Sequence, residues 1–151
     1  MYVRLRKDED LEAITKLEEE CFTDSWSPAL MSGMFASEWD KVYVLEDEGR
    51  VIGYADVRNM YGDCDLMSIC VAADSRGRGG ASLLMERIME QARLEDARQM
   101  MLEVRRSNEP AIALYKKFGF TVLGARRGYY SNPVEDAIIM IIEFKEKRYT
   151  K

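Results

Sequence analysis

Segments of two different periodicities alternate along the 151-residue chain, and this alternation restricts the fold more than any other feature of the sequence. Four segments repeat apolar residues at helical spacing, and seven shorter ones are rich in β-branched and aromatic residues, as strands are. The predicted order is one strand, two helices, three strands, a helix, a strand, a helix and two strands. This order predicts an α/β or α+β domain with a mixed sheet.

Local signals set the expected ends of these elements. Strands are predicted over residues 2–6, 42–45, 51–57, 65–71, 100–104, 120–126 and 137–144. Asp8 is the expected N-cap of the first helix, and Ser27 is the expected N-cap of the second. The third helix is expected over residues 79–94, and the fourth begins at Asn108 or the residue before it. The second helix is expected to bury Leu30, Met31, Met34 and Phe35.

Size and composition narrow the class of protein. One domain is expected for this length, so residues 1–151 are interpreted as a single domain. Hydrophobic residues at 47% and charged residues at 32% are typical of a soluble, packed protein. The 27 acidic and 22 basic side chains give a net charge of −5, which disfavours a nucleic-acid partner and suits an amine or a basic peptide. The sequence has no histidine, which excludes imidazole acid–base chemistry and histidine-ligated metals.

The cysteines and the N-terminus indicate the compartment. Cys21, Cys64 and Cys70 are an odd number without a C-x-x-C pair, so neither a disulfide framework nor a zinc site is expected. All three are interpreted as small buried hydrophobes, with no cation near them to activate a thiol. The sequence contains no signal-peptide pattern and no membrane-spanning run, which predicts a cytoplasmic protein with no membrane partner. Residues 145–151 are expected to form a tail.

Glycines crowd the junction between the fourth predicted strand and the third helix, at Gly77, Gly79 and Gly80. Glycine lets a ligand approach the backbone, and a helix N-terminus offers free N–H groups and a positive dipole end. A phosphate is the ligand expected there, and Arg76 and Arg78 favour it over the alternative of a flexible turn. The loop lacks both the Gly-Lys-Ser/Thr ending of a P-loop and the third glycine of a dinucleotide-binding fingerprint.

Several motifs together resemble one family. The run Arg76-Gly77-Arg78-Gly79-Gly80-Ala81 resembles the pyrophosphate loop of the GNAT superfamily of N-acetyltransferases. Residues 102–120, LEVRRSNEPAIALYKKFGF, are similar to the second half of the RimI-type protein N-terminal acetyltransferases. Phe22-x-x-x-Trp26-Ser27 and Tyr129-Tyr130 also resemble that group. The resemblance covers nearly the whole chain and implies a GNAT fold, a mostly antiparallel sheet of six to seven strands flanked by about four helices.

The resemblance implies acetyl-CoA as the cosubstrate, without a metal. The pyrophosphate would meet the glycine loop, and the pantetheine would pair with exposed strand backbone. Asn108 would contact the cofactor, although it could equally cap its helix. Ala73 and Gly80 depart from the proline and the aliphatic residue usual in the family, which could loosen the loop. The implied cofactor-binding residues are Ile69, Cys70, Val71, Arg76, Gly77, Arg78, Gly79, Gly80, Ala81, Ser82 and Asn108.

The same resemblance assigns the catalytic roles. Glu103 would accept the proton of the acceptor amine, through water, because amines are largely protonated near neutral pH. Tyr115 would donate a proton to the leaving coenzyme A thiolate. Without the resemblance, Glu103 is a solvated strand residue that faces away from Leu102 and Val104, and Tyr115 is a core residue.

The acceptor side is expected to be aromatic. Trp26, Tyr129 and Tyr130 would line it if their loops close over the amine; alternatively, they anchor those loops. The acidic runs 18–20 and 135–136 would attract a basic N-terminus or form solvated faces. The expected function is acetyl transfer from acetyl-CoA to a protein N-terminal α-amine, as of a small-subunit ribosomal protein. The alternatives are a GNAT enzyme that acetylates a small amine or a lysine side chain, and a non-catalytic acyl-CoA-binding module.

Overall fold

The structure is a computed structural model that describes residues 1–144, so the expected tail at residues 145–151 lies outside the described residues. The strands are β1 (Tyr2–Leu5), β2 (Asp40–Asp47), β3 (Arg50–Met60), β4 (Asp63–Val71), β5 (Gln99–Arg105), β6 (Thr121–Tyr130) and β7 (Glu135–Glu143). The helices are α1 (Leu11–Cys21), α2 (Pro28–Ala36), α3 (Gly80–Leu94) and α4 (Glu109–Lys117). Within residues 1–144, none of these helices is long and apolar enough to cross a membrane.

The strands form one seven-stranded sheet in the order β1-β2-β3-β4-β5-β7-β6. Every neighbouring pair is antiparallel except β4 and β5, which are parallel. A parallel pair needs a crossover connection, and α3 supplies it. The predicted fold class, with a mixed and mostly antiparallel sheet and four helices, is confirmed.

Helices cover both faces of the sheet, and each face has its own hydrophobic core. The core under α3 and α4 includes Leu84, Ile88, Met100, Leu102, Val104, Tyr115 and Phe120. The core under α1 and α2 includes Ile14, Leu17, Met31, Met34, Val42, Val44 and Tyr54. Burial on β5 alternates residue by residue, so the side chains of Glu103 and Arg105 lie on the sheet face opposite α3 and α4, as the sequence predicted.

The sheet opens between its two parallel strands. β4 and β5 pair over only three residue positions, from Asp63 opposite Gln99 to Asp65 opposite Met101. β4 then continues to Val71 and β5 to Arg105, with no further register between them. A bulge in β4, where its register with β3 shifts, lies at the same level. The two strands therefore part into a fork, and Glu103 lies on one of its arms.

Two local predictions were wrong. Asp8 is not an N-cap, because residues Asp8–Asp10 form a 3-10 turn and Asp10 accepts a hydrogen bond from the Lys7 backbone N–H instead. Leu30 is 58% exposed, whereas Met31 and Met34 are buried. The nine-residue helix α2 packs against α1 and β2 and buries only Met31 and Met34, so the first of the predicted apolar positions is left in solvent.

Candidate active site

The glycine loop has the backbone that an anion site needs. Gly77 and Gly79 have φ angles of 79° and 82°, in the left-handed region that favours glycine. A side chain built at either residue would meet no atom within 4 Å, so the loop surface is open there. α3 begins at Gly80 without a side-chain cap, and the first N–H groups of a helix have no acceptor within it. These groups fit a phosphate at the start of α3.

Gly80 has a different reason to be glycine. A Cβ atom at this position would lie 2.6 Å from Cδ2 of Leu45, which is fully buried in β2. The missing side chain therefore lets the first turn of α3 pack directly on the sheet. The residue that departs from the family pattern brings this end of the helix close to β2. Ala73, the other departure, begins a short 3-10 turn over Ala73–Ser75.

Both arginines of the loop contact protein acceptors. Arg76 donates from Nε to the carbonyl oxygen of Val71 at 2.9 Å, which ties the loop back to the end of β4. Arg78 forms an ion pair with Asp47 at 2.9 Å. Arg78 is half-exposed, and such pairs at the surface are weak. A polyanion at the loop would compete with Asp47 for this guanidinium.

Cys21 differs from its prediction, whereas Cys64 and Cys70 are buried as expected. Arg76, 55 residues away in sequence, donates from Nη2 to the Cys21 sulfur at 3.7 Å. A hydrogen bond with Cys70 and this guanidinium lower the pKa of the half-buried Cys21 thiol to about 7. The hydrogen bond with Cys21 and burial raise the pKa of Cys70. The prediction that no cation acts on these thiols was wrong, because only the fold brings α1 beside the loop.

Glu103 is held by groups of the C-terminal hairpin. Its carboxylate forms an ion pair with Arg126 of β6, Oε1 to Nε at 3.1 Å, and the side chain is 28% exposed. The hydroxyl of Tyr129 is hydrogen-bonded to the same carboxylate, which raises the pKa of that tyrosine. Burial, and repulsion from Glu103 among others, raise the pKa of Asp65 on β4. Glu103 is therefore neither in the core nor simply solvated.

Tyr115 lies on the other side of the sheet, in the core below α4. It is 6% exposed, and its ring meets the ring of Phe120 edge-on with centroids 6.0 Å apart. Within residues 1–144, its hydroxyl has no hydrogen-bond partner. Burial raises the pKa of Tyr115, so the phenol keeps its proton at neutral pH and can act as a donor.

Asn108 caps α4. Its side-chain oxygen accepts a hydrogen bond from the N–H of Ala111 at 3.2 Å. Of the two roles that the sequence left open, capping is the one present in the structure. Contact with a cofactor stays a prediction, and it would compete with the cap for this side chain.

The aromatic residues expected on the acceptor side differ in exposure. Tyr129 is 52% exposed and meets Tyr130 edge-on, with ring centroids 5.0 Å apart. Tyr130 is half-buried over the guanidinium of Arg105, which lies 4.5 Å from the ring centroid. Trp26 packs partly buried against the core under α1 and α2. Trp26 therefore anchors its loop, and its role on the acceptor side stays a prediction.

The acidic run at 18–20 is not wholly a solvated face. Glu18 is 2% exposed and accepts hydrogen bonds from the hydroxyls of Tyr54 and Ser68. The backbone N–H of Trp26 donates to its other oxygen at 3.3 Å. The sequence places Glu18 next to the buried Leu17. It does not show that hydroxyl groups of β3 and β4 lie close enough to hydrogen-bond to Glu18. In the second run, Glu135 accepts from the backbone N–H of Ser107 at 2.6 Å.

Sequence reasoning missed three charged residues of the site. Arg126 pairs with Glu103, and Arg105 and Asp24 connect two loops beside it. The alternation on β5 already placed Arg105 on the Glu103 face, but no sequence signal marked Asp24 or Arg126. A separate cavity of about 400 Å³ lies beside the C-terminal half of α3, and its lining residues include none of the predicted site residues.

The seven-stranded sheet with one parallel pair, and the glycine loop that begins α3, together define the class of protein. Residues 11–120 match the Acetyltransferase (GNAT) family. The chain belongs to this family of N-acetyltransferases.

Individual relatives point to the RimI-type members and confirm that resemblance. The [ribosomal protein bS18]-alanine N-acetyltransferase of Escherichia coli (strain K12) is 31% identical over 138 residues, 88% of this chain and 90% of its own length. The N-alpha-acetyltransferase RimI of Mycobacterium tuberculosis is 31% identical, over 87% of this chain and 85% of its own. The crystal structure of the ribosomal-protein-S18-alanine N-acetyltransferase from Escherichia coli superposes with a TM-score of 0.89, at 27% identity and 98% coverage of both chains.

Proposed function

We propose that this chain transfers an acetyl group from acetyl-CoA to the N-terminal α-amine of a protein. The observation that carries the proposal is the fork between β4 and β5, with Glu103 on one arm and the glycine loop at the end of the other. A single domain over residues 1–151 and a cytoplasmic location, where ribosomal proteins are made, are part of the proposal. No metal is required for the chemistry described below.

Acetyl-CoA is proposed to enter the fork from the α3 side. The free N–H groups at the start of α3, over Gly80, Ala81 and Ser82, would bind its pyrophosphate, with Arg76 and Arg78 adding charge. The backbone of Ile69–Val71 would pair with the pantetheine amides, as an added strand does. Support for this comes from β4 itself, which has no register with β5 beyond Asp65.

Glu103 is proposed to be the general base. An α-ammonium group has a pKa near ~8, so a peptide N-terminus reaches the site mostly protonated and must lose a proton before it attacks. Glu103 lies on the sheet face opposite α3 and α4 and is partly exposed, so it could take that proton directly or through water. The ammonium would compete with Arg126 for the carboxylate while it binds.

Tyr115 is proposed to be the general acid. It would donate its proton to the coenzyme A thiolate as the thiolate leaves. Its burial and its lack of a hydrogen-bond partner within residues 1–144 support the role, because the hydroxyl is protonated and uncommitted. Glu103 and Tyr115 lie on opposite faces of the sheet, and only a group lying in the fork would reach both.

The acceptor is proposed to be the N-terminal alanine of ribosomal protein S18, on which relatives are named as acting. The acceptor site would be walled by Trp26, from the loop between α1 and α2, and by Tyr129 and Tyr130, at the end of β6. Their rings and hydroxyls suit a short peptide backbone. The net charge of −5 favours a basic peptide over a nucleic acid.

Mass spectrometry of a mixed substrate panel tests the proposal. The full chain and acetyl-CoA are incubated with S18 N-terminal peptides, N-terminally blocked lysine peptides, and free small amines. We expect acetyl on the free α-amines only, and none with Glu103→Gln in the same time. Acetyl on lysine side chains or small amines would contradict the proposed α-amine acceptor and would favour a GNAT enzyme that acts on those amines. Thermal stabilisation by acetyl-CoA without any product would favour a non-catalytic acyl-CoA-binding module.

A further inference from the structure

One side chain, Arg105, connects the two loops that flank the candidate base. The first loop (residues 22–27) joins α1 to α2, and the hairpin loop (residues 131–134) joins β6 to β7. The Arg105 guanidinium donates to the Asp24 carboxylate at 3.0 Å and to the Thr23 hydroxyl at 3.3 Å in the first loop. It also donates to the carbonyl oxygens of Ser131 at 2.8 Å and Pro133 at 3.0 Å in the hairpin loop.

Asp24 closes the connection from the other side. Its Oδ2 accepts from the Ser131 backbone N–H at 3.1 Å, and its Oδ1 accepts from the Ser131 hydroxyl at 3.2 Å. Asp24 and Ser131 are 107 residues apart in sequence. Both oxygens of Asp24 are thus used across the gap between the loops. Arg105 also pairs with Glu135 at 3.2 Å and lies under the ring of Tyr130.

These contacts are too concentrated to be ordinary surface pairing. The side chain of Arg105 is 21% exposed, and its two terminal nitrogens donate to five acceptors. Three of those acceptors are neutral oxygens, so the guanidinium organises loop backbone as well as compensating charge. The planar guanidinium of an arginine can donate to acceptors on both loops at once, whereas the single ammonium of a lysine cannot.

We infer that Arg105 and Asp24 form a clamp that fixes the distance between the first loop and the hairpin loop, and with it the width of the proposed acceptor site, and that Arg105 is a positioning residue for the acetyl-transfer reaction. The inference rests on the proposed function. Arg105 is two residues from Glu103 on the same strand and the same face. The clamp therefore fixes Trp26 on one loop and Tyr129–Tyr130 beside the other, relative to the base. The aromatic residues on the two sides of the site are then already at the separation that an acceptor N-terminus needs when it binds.

Kinetics with both substrates test the clamp. Arg105→Met and Asp24→Asn are each expected to raise KM for the acceptor peptide by about tenfold or more and to leave KM for acetyl-CoA within about twofold. Arg105→Lys is expected not to restore the acceptor KM. Combining Asp24→Asn with Arg105→Met should add little to either alone, because both remove one connection. Arg106→Met is the matched control: Arg106 is the next residue, is more exposed, and makes a long ion pair with Asp136, so its KM should not change.

Hydrogen exchange supplies a readout that does not need activity. The Ser131 amide and the amides of residues 22–27 should exchange faster in Arg105→Met and Asp24→Asn than in the wild type or Arg106→Met. Unchanged exchange would mean that no clamp exists in solution. Faster exchange with an unchanged acceptor KM would mean that the contacts only stabilise the loops, and would overturn the positioning role. If the wild type acetylates no peptide, the proposed function fails, while the exchange result still decides whether the loops are clamped.

Discussion

Arg126 reaches Glu103 across an intervening strand. β7 lies between β6, which carries Arg126, and β5, which carries Glu103, yet the guanidinium Nε is 3.1 Å from the carboxylate. Ala137 and Ile139 of β7 are the register partners of Arg126 and Glu103, and the ion pair spans the strand above them. The candidate base is therefore oriented by the C-terminal hairpin, which also carries Tyr129 and Tyr130. In the proposed mechanism, an acceptor ammonium would displace Arg126 or share the carboxylate with it.

Glu103→Gln is expected to lower kcat by about 10²–10⁴-fold, because it removes the proton acceptor and keeps the shape of the side chain. The acetyl-CoA dissociation constant should stay within about twofold, since the proposed cofactor contacts lie elsewhere. Steady-state kinetics and calorimetric titration measure the two quantities. Glu90→Gln, on the exposed side of α3, is the matched control. An unchanged kcat and an unchanged pH profile would remove Glu103 from the role of base.

Tyr115→Phe is expected to slow acetyl transfer by about 10²-fold and to weaken acetyl-CoA binding far less, because only a proton donor is lost. Single-turnover kinetics under saturating substrates measure the effect. Tyr43→Phe removes a hydroxyl from an equally buried tyrosine away from the fork and should leave the rate unchanged. If both variants transfer acetyl at the wild-type rate, Tyr115 is a core residue only.

Asp56→Asn is expected to stabilise the protein at pH 8 but not at pH 4. Asp56 is fully buried, and burial together with a hydrogen bond with Asp40 raises its pKa to about 9. A carboxyl with a raised folded-state pKa binds a proton that the unfolded chain releases above ~4, so stability falls as pH rises from there towards 9. Asparagine removes this dependence.

Urea unfolding at the two pH values measures this difference, and the gain at pH 8 should be on the order of 5 kcal/mol, about 1.4 kcal/mol for each pH unit between ~4 and 8. Asp63→Asn, in an exposed ion pair with Arg98, is the control and should change stability little at either pH. An equal gain at both pH values would show that the substitution acts through packing and not through a proton.

Cys21 is expected to be the first thiol that iodoacetamide alkylates. The thiolate is the reactive form, and the Cys21 pKa of about 7 means that the alkylation rate should fall about tenfold per pH unit below that value. Burial raises the pKa of Cys64 to about 11, which makes it the internal control. Arg76→Met should move the midpoint of the Cys21 rate profile to higher pH. Peptide mass spectrometry follows each site, and equal rates at Cys21 and Cys64 would contradict the prediction.

The element order, two helix caps, the backbone of the loop glycines and the sheet face of Glu103 were predictable because they are local. Strand and helix periodicities predicted the order of the seven strands and four helices described within residues 1–144. Ser27 and Asn108 cap α2 and α4, because each side chain accepts a hydrogen bond from the backbone N–H three residues later. The glycines of the loop adopt the left-handed backbone that their residue type suggests. Alternation along β5 placed Glu103 on the face opposite Leu102 and Val104.

Only the tertiary structure decided which side chains contact each other between distant segments. Asp24 meets Ser131 across 107 residues, Cys21 meets Arg76 across 55, and Glu18 meets Tyr54 across 36. A periodic pattern reports which face of its own element a side chain occupies, because helix and strand geometry repeats within a few residues. The charged group or hydroxyl that this side chain contacts on the facing element depends on the order and register of the strands in the sheet. No single segment of the sequence encodes that order.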